Sequence, residues 1–170
     1  MNPGKAPVFP EDIENYDLSP PIILNCDERN KLFSHPLLYD HLGIFPGALE
    51  CLKELSHYFD IYLVTNCSLE NTGYKANWIK EKFPNNDIFK GKIFLNTNNN
   101  GFDKSIINME NGILIDDYRE NHLTSNAKYH FNFKRYEKQK WGPQQPNDNS
   151  IEFTKWDKEN IVNTILNLFI

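Results

Sequence analysis

Ile113-Leu114-Ile115-Asp116-Asp117 is an apolar run that stops at two adjacent carboxylates. A short apolar run of this kind describes a buried strand. In open α/β folds, ligands bind outside the carboxyl ends of such strands. Two neighbouring acids repel each other unless a cation or hydrogen-bond donors compensate. A hard divalent ion such as Mg²⁺, which takes oxygen ligands, is one such compensator. A strand running into an Asp-rich turn has the same letters, so the reading depends on what else reaches that edge.

Other segments carry related patterns. Phe59 to Val64 is a β-rich run ending at Thr65-Asn66, and Lys92 to Leu95 is a further apolar run before the polar stretch Asn96 to Asn100. Tyr129, Phe131 and Phe133 alternate as another strand. Between these lie helical spacings: Asp27 to Phe33; Ala48, Leu49, Leu52 and Leu55 after the Pro46-Gly47 punctuation; and Tyr74, Trp78, Ile79 and Phe83, stopped by Pro84. Lys104 to Ile107 reads as a turn or short helix. Ile161, Val162, Ile165, Leu166 and Phe169 predict a closing helix with Asp157 as its N-cap. Pro3, Pro7, Pro10, Pro20 and Pro21 make the start irregular, and Pro21 to Cys26 reads as a short buried strand. Strands alternating with helices predict an α/β fold with a parallel, Rossmann-like sheet flanked by helices.

Composition narrows the classes. The chain has 170 residues, enough for one domain with a core, and 39% of them are hydrophobic. A net charge of −5 argues against the basic field of a nucleic-acid binder. The loose group Lys134, Arg135, Lys138 and Lys140 reads as a solvated face or loop, the alternative being part of a pocket for an anionic ligand. No apolar run reaches membrane-spanning length, and no signal-peptide pattern opens the chain. Cys26, Cys51 and Cys67 lack metal or redox spacing, which points to reduced thiols and a cytoplasmic setting. Oligomeric state is not encoded in these features.

In a parallel sheet, strand ends distant in sequence share one edge. Thr65 would bring a hydroxyl, Asn66 an amide, Lys104 an ammonium and Asp116-Asp117 the carboxylates. A hydroxyl, a compact cation and a metal together suit a phosphoryl group, whose transfer depends on positioning and charge neutralisation.

The run Phe-Pro-Gly-Ala-Leu-Glu-Cys-Leu-Lys-Glu-Leu at 45 to 55, Asp-Ile-Tyr-Leu-Val-Thr-Asn at 60 to 66, Lys104 and Leu-Ile-Asp-Asp at 114 to 117 resemble the haloacid dehalogenase-like phosphohydrolases. The stretch from Tyr74 to Pro84, together with Arg119-Glu120-Asn121, resembles the 5'(3')-deoxyribonucleotidase group within them. The resemblance spans roughly residues 33 to 125. It implies a Mg²⁺-dependent hydrolase that dephosphorylates nucleoside monophosphates. Thr65 and Asn66 would hold the phosphate, Lys104 would bind phosphate and act catalytically, and Asp116 and Asp117 would be the metal ligands.

One part of that pattern is missing. The family's first motif is a strand followed by Asp-x-Asp, whose first Asp is the nucleophile, and this sequence contains no such motif. Two readings stand. In one, residues 1 to 44 are a partial helical cap and the chain lacks the family's start; Pro10 to Ser19 resembles cap. In the other, Ile22 to Asp27 is a degenerate first strand, with Asn25 in the nucleophile's place and Asp27 the remaining acid. Under either, residues 45 to 170 form the core of a single domain. An Asn amide is a poor nucleophile, so the expected result is an inactive or truncated phosphatase. The rival class is a pseudoenzyme that binds a nucleotide or a partner without turnover.

Overall fold

Parallel strand pairing dominates the architecture. The computed structural model describes residues 25–33, 35–84, 87–96, 104–136 and 150–169. Strand β1 (Ile61–Cys67) pairs with β2 (Phe89–Asn96) in parallel, with Thr65 opposite Phe94 and Asn66 opposite Leu95. A second parallel sheet runs in the order β3 (Ile113–Asp116), β4 (Tyr129–Phe133), β5 (Ser150–Phe153), with Asp116 opposite Asn132. The helices are α1 (Cys26–Phe33), α2 (Ala48–Leu55), α3 (Thr72–Lys82), α4 (Arg119–Thr124) and α5 (Asn163–Asn167). A 3-10 turn at Pro36–His41 follows α1, and a π-type turn at Lys158–Val162 leads into α5. The fold is α/β, with parallel sheets flanked by helices, as the alternating pattern predicts.

Two apolar clusters hold it together. Helix α2 buries Ala48, Cys51 and Leu55 at helical spacing. Cys51 and Leu55 join Phe131, Phe153, Ile161, Val162 and Ile165 against the three-stranded sheet. Leu49 and Leu52, on the neighbouring face of α2, pack with Ile79, Phe83, Ile88 and Phe89 on the two-stranded sheet. Ile61 packs against both clusters. Phe131 is fully buried, and His130 and Asn132 are buried as well. The strand expected from the Tyr129-Phe131-Phe133 alternation is β4; it lies between two strands with buried side chains on both faces, as parallel strands usually do.

Several boundaries differ from the sequence reading. Thr65 and Asn66 lie within the β1 ladder rather than after it. Tyr74 is exposed, so the packed face of α3 is carried by Trp78 and Ile79. Cys26 is the first residue of α1 and not the end of a strand, while residues 21–24 lie outside the described residues. Strand β5 carried no sequence signal: it is four residues long and includes the exposed Glu152. Asp157 caps the closing helical segment as expected, its Oδ1 accepting from the Asn160 N–H at 2.7 Å. Trp141, Pro143, Pro146, Lys138 and Lys140 lie outside the described residues. Arg135 stacks 4.7 Å from the Phe45 ring, and Lys134 reaches Glu152 at 3.9 Å.

Gly47 sets the entry to α2. Its φ of 80° is in the left-handed region, and a Cβ there would run into the Trp156 carbonyl. Gly47→Ala is expected to destabilise the chain by about 1–3 kcal/mol, through both strain and overpacking; the midpoint of urea unfolding checks it.

Candidate phosphate and metal site

Lys104 and Asp116 form the electrostatic centre of the strand-end edge. Lys104 heads a turn closed by the Ile107 N–H to the Lys104 carbonyl at 3.0 Å. Asp116 is the last residue of β3. Their side chains are only 11% and 7% exposed, and the ammonium donates to Asp116 Oδ2. The other carboxylate oxygen, Oδ1, accepts from the Tyr118 N–H at 2.9 Å and from Asn121 Nδ2 at 3.0 Å. An ionised carboxylate has about four lone-pair positions, so these three donors leave roughly one. Asp117 is half-buried at the first position after the strand.

A second cation stands on the β1 side. Lys75 of α3 donates from Nζ to Thr65 Oγ1 and to the Asn66 carbonyl, both at 2.7 Å. Because Thr65 Oγ1 accepts from Lys75, its own O–H proton is left to donate elsewhere. Burial pushes the Lys75 ammonium below its ordinary value; the nearby Lys104 cation acts in the same direction, and Cys67 opposes both. Asn66 Oδ1 and Ser68 Oγ are buried with no hydrogen-bond partner among the described residues. Such atoms cost about 1–3 kcal/mol each unless a ligand or water satisfies them. Cys67 shares a 3.4 Å contact with Thr72 Oγ1 and is a free thiol.

Thr65, Lys75 and Lys104 all line a single cleft of about 950 Å³ between β1 and β3. The structure thus brings together Thr65, Lys104 and Asp116, the last through its bond to Lys104, with Asn66 and Asp117 at the adjoining strand ends. Sequence reasoning missed Lys75 and Ser68. Lys75 lies in the middle of a helix among ordinary surface lysines, and only the packing of α3 against β1 turns it inward. Trp78 lines the same cleft, its Nε1 donating to the Leu42 carbonyl at 2.9 Å. Asn25 is exposed at the start of α1. It exchanges hydrogen bonds with Glu28: the Asn25 N–H donates to Glu28 Oε2 at 3.0 Å, and the Glu28 N–H to Asn25 Oδ1 at 2.9 Å. Its side chain is engaged as a helix cap, and Asp27 is exposed on the same helix.

Among the described residues, no three His, Cys, Asp or Glu side chains converge to hold a metal. The donor set still suits Mg²⁺, which keeps several waters and is commonly held by one or two carboxylates plus a substrate phosphate. Asp116 and Asp117 supply that number. None of the described helices is long and apolar enough to cross a membrane.

This chain is similar to a nucleotidase. It is 32% identical over 115 residues to the 5'(3')-deoxyribonucleotidase of Clostridium acetobutylicum, an alignment covering 63% of this chain and 62% of that relative. The chain thus matches rather less than two thirds of the relative's length. No protein-family model matches the chain, and no solved structure matches it.

Behind the site lies a pair of buried histidines. His122 Nε2–H donates to the Asp116 carbonyl at 3.0 Å, which leaves His122 Nδ1 to accept from His130 Nδ1–H at 3.3 Å. Burial pushes His122 below 6.5, with Lys104 adding to the effect against the hydrogen bond and charge of Asp116. Burial and then the His122 ring push His130 down, against a backbone hydrogen bond to Ala127.

Two expectations follow from this electrostatic arrangement. Lys104→Met strands a buried carboxylate and is expected to cost about 3–5 kcal/mol, most of it recovered in Lys104→Met/Asp116→Leu; chemical denaturation of the single and double variants checks this. The paired histidines stay neutral in the fold but bind protons once unfolded near pH 6.5. The stability they contribute is therefore present above that pH and is lost as pH falls below it, by up to about 1.4 kcal/mol per pH unit for each proton. Unfolding midpoints at pH 7.5, 6.5 and 5.5 should show the decline, and His130→Asn should flatten it.

Proposed function

We propose that this chain is a haloacid dehalogenase-like phosphohydrolase domain related to 5'(3')-deoxyribonucleotidases, and that its cleft binds the phosphate of a nucleoside monophosphate. The observation that carries the reading is the placement of Thr65, Lys75 and Lys104 at one cleft, with the Asp116 carboxylate bonded to Lys104. The Thr65 hydroxyl donates to a phosphate oxygen, and the two ammonium groups neutralise its charge. Asn66, with an unpaired buried acceptor, takes a hydroxyl or water donor of the bound ester. Asp116 and Asp117 hold Mg²⁺, which when bound offsets the negative charge of the phosphoryl group. Asn121 and the Tyr118 N–H keep the Asp116 carboxylate turned toward that position.

A second reading, binding without turnover, has its own observation. The sequence contains no Asp-x-Asp, and Asn25, the one residue placed to substitute for the first Asp, is an exposed helix cap. Loss of a nucleophile commonly removes several orders of magnitude in rate. The expectation for this polypeptide is therefore Mg²⁺-assisted binding with little or no phosphate release. Calorimetry with a deoxynucleoside 5'-monophosphate, run beside a phosphate-release assay, separates the two readings. Thr65→Val should weaken binding about tenfold or more, the loss of a hydrogen bond to a charged group. Asp116→Asn/Asp117→Asn should remove its Mg²⁺ dependence. Binding unaffected by either variant would refute the site.

A further inference from the structure

Lys104 belongs to a segment with neither helix nor strand. Residues 104–112 make two successive turns. The first is closed by the Ile107 N–H to the Lys104 carbonyl at 3.0 Å, the second by the Gly112 N–H to the Met109 carbonyl at 2.7 Å. The buried Lys104 ammonium nevertheless reaches Asp116 in β3. Fixing a lysine side chain costs about 1.5–2 kcal/mol of rotamer freedom, and a mobile backbone beneath it would add to that cost. Contacts that hold this backbone come from the residues just after α4. Asn126 Oδ1 accepts from the Met109 N–H at 2.8 Å, and Asn126 Nδ2 donates to Asn108 Oδ1 at 3.0 Å. Asn108 Oδ1 also accepts from the Glu110 N–H at 3.2 Å. The Met109 and Glu110 backbone donors fix which way both amides point, since each must meet an oxygen. Beside them, the Ser125 hydroxyl donates to the Met109 sulfur at 3.6 Å and accepts from the Ala127 N–H at 3.0 Å.

We propose that Asn126 is a positioning residue for Lys104. Its amide holds, through one acceptor and one donor, the two consecutive residues that join the turns, and so fixes the backbone from which the ammonium reaches Asp116. Asn126 is exposed and does not line the cleft, whereas Asn108 and Met109 do. It therefore acts through the segment rather than on a ligand. The same stretch of chain holds the other member of the pair. Asn121 Nδ2 donates to Asp116 Oδ1, and His122 Nε2–H donates to the Asp116 carbonyl, both at 3.0 Å. Residues 121–126 thus set the carboxylate directly and the lysine through its backbone, which keeps the two in one register although β3 stands between them in sequence. For the binding of a phosphate ester this rests on the reading proposed above; for the ion pair it does not.

The test is a double-mutant cycle of Lys104→Met and Asp116→Leu, read from chemical denaturation of the full chain. It is run in the natural background and again in Asn126→Ala. The coupling between Lys104 and Asp116 should fall by at least half in Asn126→Ala. Asn126→Asp keeps the acceptor for the Met109 N–H but not the donor; it should retain more of the coupling, and it serves in place of Asn126→Ala if that variant does not fold. Asn160→Ala is the control. It removes side-chain bonds to Asp157 at 2.8 and 2.7 Å, and should lower stability without changing the coupling. Calorimetry with a deoxynucleoside 5'-monophosphate and Mg²⁺ adds a second readout: Asn126→Ala should bind about three- to tenfold more weakly, and Asn160→Ala as the natural chain does. Unchanged coupling in Asn126→Ala would overturn the proposal whatever the ligand does. An equal fall in Asn160→Ala would also overturn it, because the ion pair would then respond to any loss of stability. Absence of binding by the natural chain, with the coupling lost in Asn126→Ala alone, would count against the phosphate reading and uphold the positioning role.

Discussion

Helix α2 packs against both parallel sheets, which share no backbone ladder among the described residues. Its Cys51 and Leu55 sit in the core of the three-stranded sheet, and its Leu49 and Leu52 in that of the two-stranded sheet. Side-chain burial on both faces of a short helix ties the two described sheets together. Gly47 allows α2 to start against the Trp156 carbonyl, so the approach of the two halves depends on one backbone conformation that other residues rarely adopt.

The same division shapes the site. One half contributes Thr65, Asn66 and Lys75 from β1 and α3; the other contributes Lys104, Asp116 and Asn121. Each half engages its lysine locally, Lys75 with Thr65 and Lys104 with Asp116. Across the cleft the two ammonium groups repel, and that repulsion is part of what lowers the Lys75 proton affinity. The histidine pair anchors the Asp116 backbone from behind, linking the pH dependence of the fold to the placement of that carboxylate.

Much of this was legible before any coordinates. The apolar run ending in Asp116-Asp117, the β-rich run through Thr65 and the helical spacings of α2 and α3 all carry strong local periodicity, and each became the element expected. Strand β5 was not legible, because its four residues gain their stability from pairing with β4 and from the burial of Phe153 rather than from any pattern of their own. Lys75 and Ser68 escaped notice because a lysine in a helix and a serine after a strand are ordinary until packing turns them inward.

The sequence by itself determined the α/β alternation, the order of the polar strand ends and the absence of an Asp-x-Asp motif, since all three are properties of residues close together in the chain. Only the tertiary structure decided that Lys104 pairs with Asp116, that Lys75 rather than a more obvious residue braces Thr65, and that residues of β1 and β3 line one cleft. Those outcomes depend on which edges pair and which faces are buried, and on charges brought within bonding distance by segments far apart in sequence.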